Sequence, residues 1–327
     1  MRILVTGGAG FLGSHLCDAL LAEGNKVVAV DNLLTSRIDN IRHLSLDSRF
    51  EFHELDICEP FDCGPIDYLF HFASPAARTD YMVHGIVTLR TGSFGTFNTL
   101  NLAHKYGAKF LLGSASEVYG DPYHNPQRED YWGNVNPISE RSVYTQAKRL
   151  SEAATMAYRR YYNLDTRIAR VFHTYGPRMT IDGGGMISEF IKSSLLGEDL
   201  VIYGDGTNTR SLTYVSDTIE GILRVARSYE HEPVNIGRAE QITVLECAQQ
   251  ILAVTGSDSK VRFAEPQSDD PKQRSPDIRK ARKLLGWEPK VNLPTGLRRT
   301  VDYFRTNSGE HLKATSTLYR NESVPRL

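Results

Sequence analysis

Cysteine and any excess of one charge are nearly missing from this 327-residue chain. The four cysteines stand at 17, 58, 63 and 247 with no Cys-x-x-Cys pair and no metal-ligand spacing, so free thiols are expected and no metal site is. The 38 basic residues against 39 acidic ones leave a net charge of −1, which gives no long-range field to hold a polyanion and excludes a general nucleic-acid partner. No apolar run approaches the roughly 20 residues needed to cross a bilayer, and the glycines from Gly7 onward interrupt any signal-peptide core. A soluble, cytoplasmic protein without a membrane partner is the expectation. Internal repeats and low-complexity tracts are lacking too. What is present is a chain 40% apolar and 24% charged, long enough for about two domains or one large α/β unit with an appended lobe.

Residues 2–6 form a β-rich run. Gly7-Gly8-Ala9-Gly10-Phe11-Leu12-Gly13 follows directly and leads into the helical spacing of Phe11, Leu12, Leu16, Leu20 and Leu21. Such a turn needs glycine to bend tightly, to approach a pyrophosphate without a Cβ in the way and to pack helix on strand; the helix N-terminus adds amide donors and a partial positive charge. Gly7, Gly10, Phe11, Leu12 and Gly13 are therefore the candidate phosphate bed. A second apolar strand at 27–30 runs into Asp31 and Asn32, close to the spacing at which a carboxylate accepts hydrogen bonds from an adenosine ribose. That carboxylate repels a 2′-phosphate and favours NAD over NADP, with Arg37 the nearby guanidinium able to accommodate a phosphate instead.

Further strands are expected at 50–55, ending in Asp56-Ile57, at 68–72, ending in Ala73-Ser74-Pro75, and at 109–112 and 166–171, with helical periodicity at 91–105. Strands alternating with helices predict an α/β fold, a doubly wound parallel sheet of the Rossmann type, with ligands gathered where the strands end. Asp56 and Ile57 are placed to clasp the adenine, and Ala73 and Ser74 to lie under the phosphates and nicotinamide ribose. Beyond 171, Thr174-Tyr175-Gly176-Pro177-Arg178 breaks regular structure and opens a smaller α/β substrate lobe with a helix at 186–196 and a strand at 200–204, while glycines 183–185 read as a turn. A strand at 233–236 is expected to rejoin the sheet. The NAD-binding domain then comprises 1–173 and 213–238, the lobe 174–212 and 239–305, and a polar tail 306–327.

Tyr144 and Lys148 are four apart within a helical stretch, so both side chains lie on one face. An ammonium beside a phenol stabilises the phenolate, and the positive ring of NAD lowers the phenol's pKa further, which suits Tyr144 to act as a base near neutrality.

Together, segments 6–13 and 114–120 with Asp31, Asp56, Tyr144 and Lys148 resemble the extended short-chain dehydrogenase/reductase family of nucleotide-sugar enzymes, over nearly the whole chain to about residue 305. Other segments are similar to its UDP-glucuronate decarboxylase branch: Ala73-Ser74-Pro75-Ala76, Ser116-Glu117-Val118-Tyr119-Gly120-Asp121-Pro122, Tyr131-Trp132-Gly133, Thr209-Arg210-Ser211, and Asp269-Asp270-Pro271 with Arg274. The resemblance implies an NAD-dependent enzyme that oxidises C4 of UDP-glucuronate with Tyr144 as base, loses CO2 from C6 because the 4-ketone is β to the carboxylate, and re-reduces C4 fully or in part to give UDP-xylose. It implies that Arg210 orients the substrate, that Glu117, or a water it holds, handles protons near C5, and that Ser116 bonds the sugar or its carboxylate. A homodimer through helices at about 91–105 and 144–162 is likewise implied.

The alternatives within the family are 4,6-dehydration of a nucleotide hexose and 4-epimerisation. Related dehydratases place an Asp–Glu pair before Val-Tyr-Gly, where this chain has Ser116-Glu117, and serine is a poor acid. Epimerisation has no need of a carboxylate at 117. Three positions depart from the family pattern: Ala115 in place of a hydroxyl residue, Gly92 in place of asparagine, and His173 where an asparagine contact to phosphate or sugar is expected; Ala115 and Gly92 encourage a different class, a non-catalytic NAD-binding protein, against which Tyr144, Lys148, Glu117 and Arg210 weigh. The departure at Ala115 removes one donor to the ketone, from which escape of some UDP-4-keto-pentose is expected. In the lobe, Arg274 is the candidate for the diphosphate because its fork binds two oxygens, Arg178 is a weaker one, and Tyr203 either contacts the uracil or fills the lobe's core.

Overall fold

A computed structural model of the chain describes residues 1–182, 185–266 and 273–307. In chain order the elements are β1 (Arg2–Thr6), α1 (Phe11–Ala22), β2 (Lys26–Asp31), β3 (Phe50–Glu54), β4 (Tyr68–His71), α2 (Arg78–Val83), α3 (Gly85–Arg90), α4 (Thr96–Tyr106), β5 (Lys109–Ala115), α5 (Ser142–Tyr162) and β6 (Thr166–Val171). They continue with β7 (Thr174–Tyr175), α6 (Met186–Leu196), β8 (Leu200–Tyr203), β9 (Thr209–Arg210), β10 (Thr213–Tyr214), α7 (Val215–Arg227), β11 (Val234–Ile236), β12 (Ile242–Thr243), α8 (Val244–Thr255), β13 (Val261–Ala264), β14 (Gln273–Arg274), α9 (Arg279–Leu285) and α10 (Leu293–Asn307).

Seven parallel strands form one sheet in the order β11-β6-β5-β4-β1-β2-β3. Its central strands are apolar on both sides because each face is covered by helices. Ile3, Val5, Val27, Ala29, Phe70 and Leu111 bury toward one face with α1 and α7, while Leu4, Val28, Leu69, Phe110 and Leu112 bury toward the other. The register places Leu4 beside Val28 and Leu69, and Leu69 beside Phe110, so each face is a continuous apolar layer. The strand expected at 233–236 is β11, and it pairs with β6.

One expectation needs correction. The helix at 91–105 is in fact two pieces, a π-helical turn Thr91–Gly95 and α4, and it is preceded directly by α3. The widened turn follows from two glycines, Gly92 and Gly95, whose missing side chains let the turn press against α5 and Ile57. The smaller sheets of the lobe bring remote segments together: β9 lies between β12 and β14, and β8 pairs with β13. Of the polar tail expected from 306, Thr306 and Asn307 close α10, and 308–327 lie outside the described residues, as do Gly183 and Gly184 of the expected turn.

Candidate active site

A cleft of about 880 Å³ opens over the C-terminal ends of β1, β2, β4 and β5. That is where parallel strands expose their unpaired ends and where the crossover loops diverge.

Its first half is built for a dinucleotide. Gly7 has φ of +72°, and a Cβ there would lie 2.7 Å from the Ala73 amide nitrogen; a Cβ at Gly13 would lie 1.9 Å from the Gly7 carbonyl oxygen. Only glycine permits this folding of the turn against the 73 loop. No side chain caps α1 and no acidic residue stands in its first turn, so the helix N-terminus keeps its amides and partial positive charge for an anion. The buried Asp31 carboxylate accepts from the Ala9 amide at 3.0 Å, the Leu33 amide at 2.9 Å and the Ser36 hydroxyl at 2.7 Å, which fixes it at the rim beside Asn32. Arg37 is turned away onto Asp39 at 3.2 Å and does not line the cleft, leaving the acidic residue to set the preference for a free ribose. Asp56, Ile57, Ala73 and Ser74 all line the same half. The Ser74 Oγ is buried with no hydrogen-bond partner among the described residues, and a buried hydroxyl left so is costly unless a ligand completes it. A glycine cradle, an uncapped helix, a rim carboxylate and an orphaned hydroxyl fit NAD.

The second half carries the reactive side chains. On α5, Tyr144, Lys148, Ser151 and Thr155 recur at helical spacing on the buried face. The Lys148 ammonium donates to the Gly113 carbonyl at 2.9 Å and lies 5.7 Å from the centre of the Tyr144 ring. Burial pulls its pKa down to about 8 against the opposing pull of Glu117 and Glu152. The Tyr144 phenol is itself pushed well above its ordinary value by burial, then by Glu117 and Tyr81. Lowering of that phenol by Lys148 was the expectation; here the ammonium is committed to a backbone carbonyl and desolvation prevails. Base chemistry at Tyr144 therefore needs a further positive charge bound beside it.

Glu117 and Ser116 lie at the end of β5, with the Ser116 hydroxyl 3.4 Å from one Glu117 oxygen. The other oxygen accepts from Arg274 Nη1 at 2.5 Å, and Arg274 Nη2 reaches the Gly120 carbonyl at 3.3 Å. Burial opposes charge on Glu117, but Arg274, His173 and Arg141 outweigh it and hold the carboxyl below its usual value. Arg274, the candidate for the diphosphate, lines the cleft, and β14 runs parallel to β9 with Arg274 directly beside Arg210. Register partners project to the same face, and both Arg210 and Arg274 line the cleft. His173 lines it as well.

Two candidates stand outside the lining of the cleft. Arg178, held at φ +67°, pairs with Asp18 of α1 at 2.7 Å and stands outside the lining. Tyr203 is 52% exposed on β8, where strand alternation turns Leu200 and Ile202 inward and Val201 and Tyr203 outward; it meets neither the cleft nor the lobe's core. Two lining residues carried no sequence motif. Arg141 precedes Tyr144 by three residues on the same helical face, a usable signal. Tyr81 lies on the two-turn α2 and gave none; its ring stacks on that of Tyr144 with centres 5.2 Å apart and planes 7° apart.

Comparison with known proteins agrees with this geometry. The family model described as GDP-mannose 4,6 dehydratase matches residues 4–300. A UDP-glucuronic acid decarboxylase 1 of Danio rerio is 46% identical over 303 residues, covering 93% of this chain and 72% of the relative. Among solved structures, a dTDP-glucose 4,6-dehydratase of Streptomyces venezuelae with NAD bound is 31% identical with a TM-score of 0.88, covering 95% of this chain and all of that one (100%). The UDP-glucuronic acid 4-epimerase of Bacillus cereus in complex with UDP-glucuronic acid and NAD is 32% identical with a TM-score of 0.84, covering 94% and 99%. The chain belongs to the nucleotide-sugar branch of the extended short-chain dehydrogenase/reductases, the family that the GDP-mannose 4,6 dehydratase model describes.

Proposed function

We propose that this protein is an NAD-dependent UDP-glucuronate decarboxylase that forms UDP-xylose. The observation that carries the reading is the pair Arg210 and Arg274, side by side on adjacent strands in the pocket of Tyr144, with Arg274 bonded to Glu117, a cationic end suited to a sugar carboxylate. The decarboxylase relatives point the same way. When bound, NAD supplies a positively charged ring able to take a hydride from C4 and return it. Tyr144 takes the O4 proton as C4 becomes a ketone. The C5–C6 bond then breaks with its electron pair delocalised toward O4 as an enolate, and CO2 leaves. Glu117 manages the proton that C5 gains, and Tyr144 returns its own to O4. Ser116 stands beside Glu117 in place of an acid, so departure of a C6 hydroxyl has no proton donor there, which disfavours dehydration.

The test is incubation of the purified protein and NAD with UDP-glucuronate, UDP-glucose and dTDP-glucose in parallel, with mass analysis of the products. Carbon dioxide and a UDP-pentose from the first alone support the reading; loss of water from either neutral hexose overturns it.

The outer faces of α3, α4 and α5 expose Leu89, Phe97 and Leu150, with Phe94 between them at 58% exposure. We assign this apolar face to a homodimer, to be checked by light scattering on the wild type and Leu150→Arg. A cytoplasmic location is part of the same proposal, supported by four unpaired thiols.

A further inference from the structure

Gln127 does not line the cleft, yet it is fully buried with both polar atoms of its side chain bonded. Its Oε1 accepts from the Ser275 amide at 2.8 Å, and its Nε2 donates to the His124 carbonyl at 2.7 Å. The backbone adds two more bonds. The Gln127 amide donates to the Ser275 carbonyl and the Asp277 amide to the Gln127 carbonyl, both at 2.8 Å. A primary amide is tolerated in a dry interior only when its bonds are complete. Three of these four bonds fall on the residues that follow Arg274.

The loop that carries Gln127 brackets Arg274 on its other sides. Asn125 Nδ2 donates to Gln273 Oε1 at 2.9 Å, and the Gly120 carbonyl accepts from Arg274 Nη2. Because β14 is only two residues long, its pairing with β9 leaves much of its placement to these neighbours. A closed circuit then passes through β11. The fully buried Asn235 donates to the Gln127 carbonyl at 3.0 Å and accepts from the Tyr119 hydroxyl at 2.8 Å, two residues after Glu117. From Glu117 the path runs by Tyr119, Asn235, Gln127 and Ser275 to Arg274, whose Nη1 returns to Glu117 at 2.5 Å.

We propose that Gln127 is a positioning residue that, through the Ser275 amide, fixes the Arg274 guanidinium against Glu117. What this does for the reaction rests on the decarboxylase reading above. The Ser275 N–H belongs to the rigid peptide unit joined to the Arg274 Cα. Without Oε1 that buried donor lacks an acceptor, and the peptide turns to find one, carrying the Arg274 side chain with it. Glu117 then loses its partner, and burial raises its carboxyl with His173 and Arg141 left to oppose.

The experiment compares wild type, Gln127→Met, Arg274→Lys and the double variant with UDP-glucuronate and NAD, measuring kcat/KM across pH. A misplacement of about 1 Å costs on the order of 10²-fold, and Gln127→Met is expected to lose that much in kcat/KM. Its acid limb is expected to move up by about 1 pH unit as the carboxylate loses its cation, while NAD affinity, set in the other half of the cleft, holds. In the Arg274→Lys background Gln127→Met is expected to cost nothing further, because the arginine it positions is gone. Should Gln127→Met not fold, Gln127→Asn, one methylene too short to reach Ser275, takes its place in every comparison. Wild-type kinetics with an unmoved acid limb overturn the inference. So do losses that multiply in the double variant, which assign Gln127 to general packing. A crystal structure of the Gln127 variant is expected to show Arg274 parted from Glu117, and an intact pair overturns the inference whatever the substrate is. Absence of carbon dioxide from the wild type sinks the decarboxylase reading alone.

Discussion

Gly92 and Ala147 meet so closely that a Cβ added to Gly92 would stand 2.5 Å from the Ala147 Cβ and 2.8 Å from its Cα. The π-helical turn and α5 touch backbone to backbone one residue before Lys148. Replacement of an expected asparagine by glycine is thus a packing requirement of this chain, and it does not mark a decayed site. Gly92→Ala is expected to destabilise the fold by about 1–3 kcal/mol, the usual cost of overpacking, and to lower kcat by displacing Lys148. Adding Ala147→Gly should restore both only in part, since the Cα and carbonyl oxygen at 147 remain 2.8 and 3.0 Å from the new Cβ. Urea unfolding and initial rates on the single and double variants check this.

Tyr144→Phe and Glu117→Gln should fail at different steps. Without its phenol oxygen the first variant loses the base, a loss of about 10²–10⁴-fold in oxidation. The second keeps the base and loses the charge that Arg274 holds in place, so a first-turnover rise in nicotinamide absorbance persists while release of carbon dioxide slows. Rapid mixing with absorbance and gas detection separates the two; equal, full activity in both variants refutes the assigned roles.

The alkaline limb of kcat/KM should fall near pH 8. Lys148 works as an ammonium, and burial brings its loss of charge down from the ordinary 10.5 to about 8. The sign for stability is the reverse. Between about 8 and 10.5 the unfolded chain holds a proton at this lysine that the folded chain has lost, so this group's contribution to stability rises with pH across that window. A rate profile paired with denaturant curves at the same pH values tests both directions.

Asp31→Ala removes the acceptor of the Ala9 and Leu33 amides as well as the rim carboxylate. Hydrogen bonds to a charged group are worth about 1.5–3 kcal/mol each, so NAD affinity should fall roughly 10- to 100-fold, with a lower melting temperature even in the absence of NAD. Calorimetric titration with NAD, and melting without it, separate the two effects.

The cofactor half of the site was legible because its signals are local: glycines 7 to 13 follow a strand, Asp31 ends the next one, and Tyr144 and Lys148 share a helical face. The substrate half was less so. Glu117 and Arg274 are 157 positions apart, and their meeting depends on the register of β14 against β9, which no spacing encodes. Arg274 was recognisable as an anion binder but not as the neighbour of Arg210. Whether Tyr203 fills the lobe's core was not readable, because a four-residue strand has two faces and its sequence does not say which is covered; the structure turns it outward. Tyr81 left no trace, since a tyrosine on a two-turn helix has no pattern until α5 is packed against it. The π-helical turn was hidden by apolar periodicity on either side of Gly92 and Gly95.

Because Arg210 and Arg274 ride on hydrogen-bonded neighbouring strands, backbone bonds and not side-chain choice set their separation. Of the two, Arg274 is paired with Glu117, and Arg210 stands directly beside it on the next strand. An anion taken up at this wall meets two guanidinium-bearing strands whose spacing the backbone has set in advance.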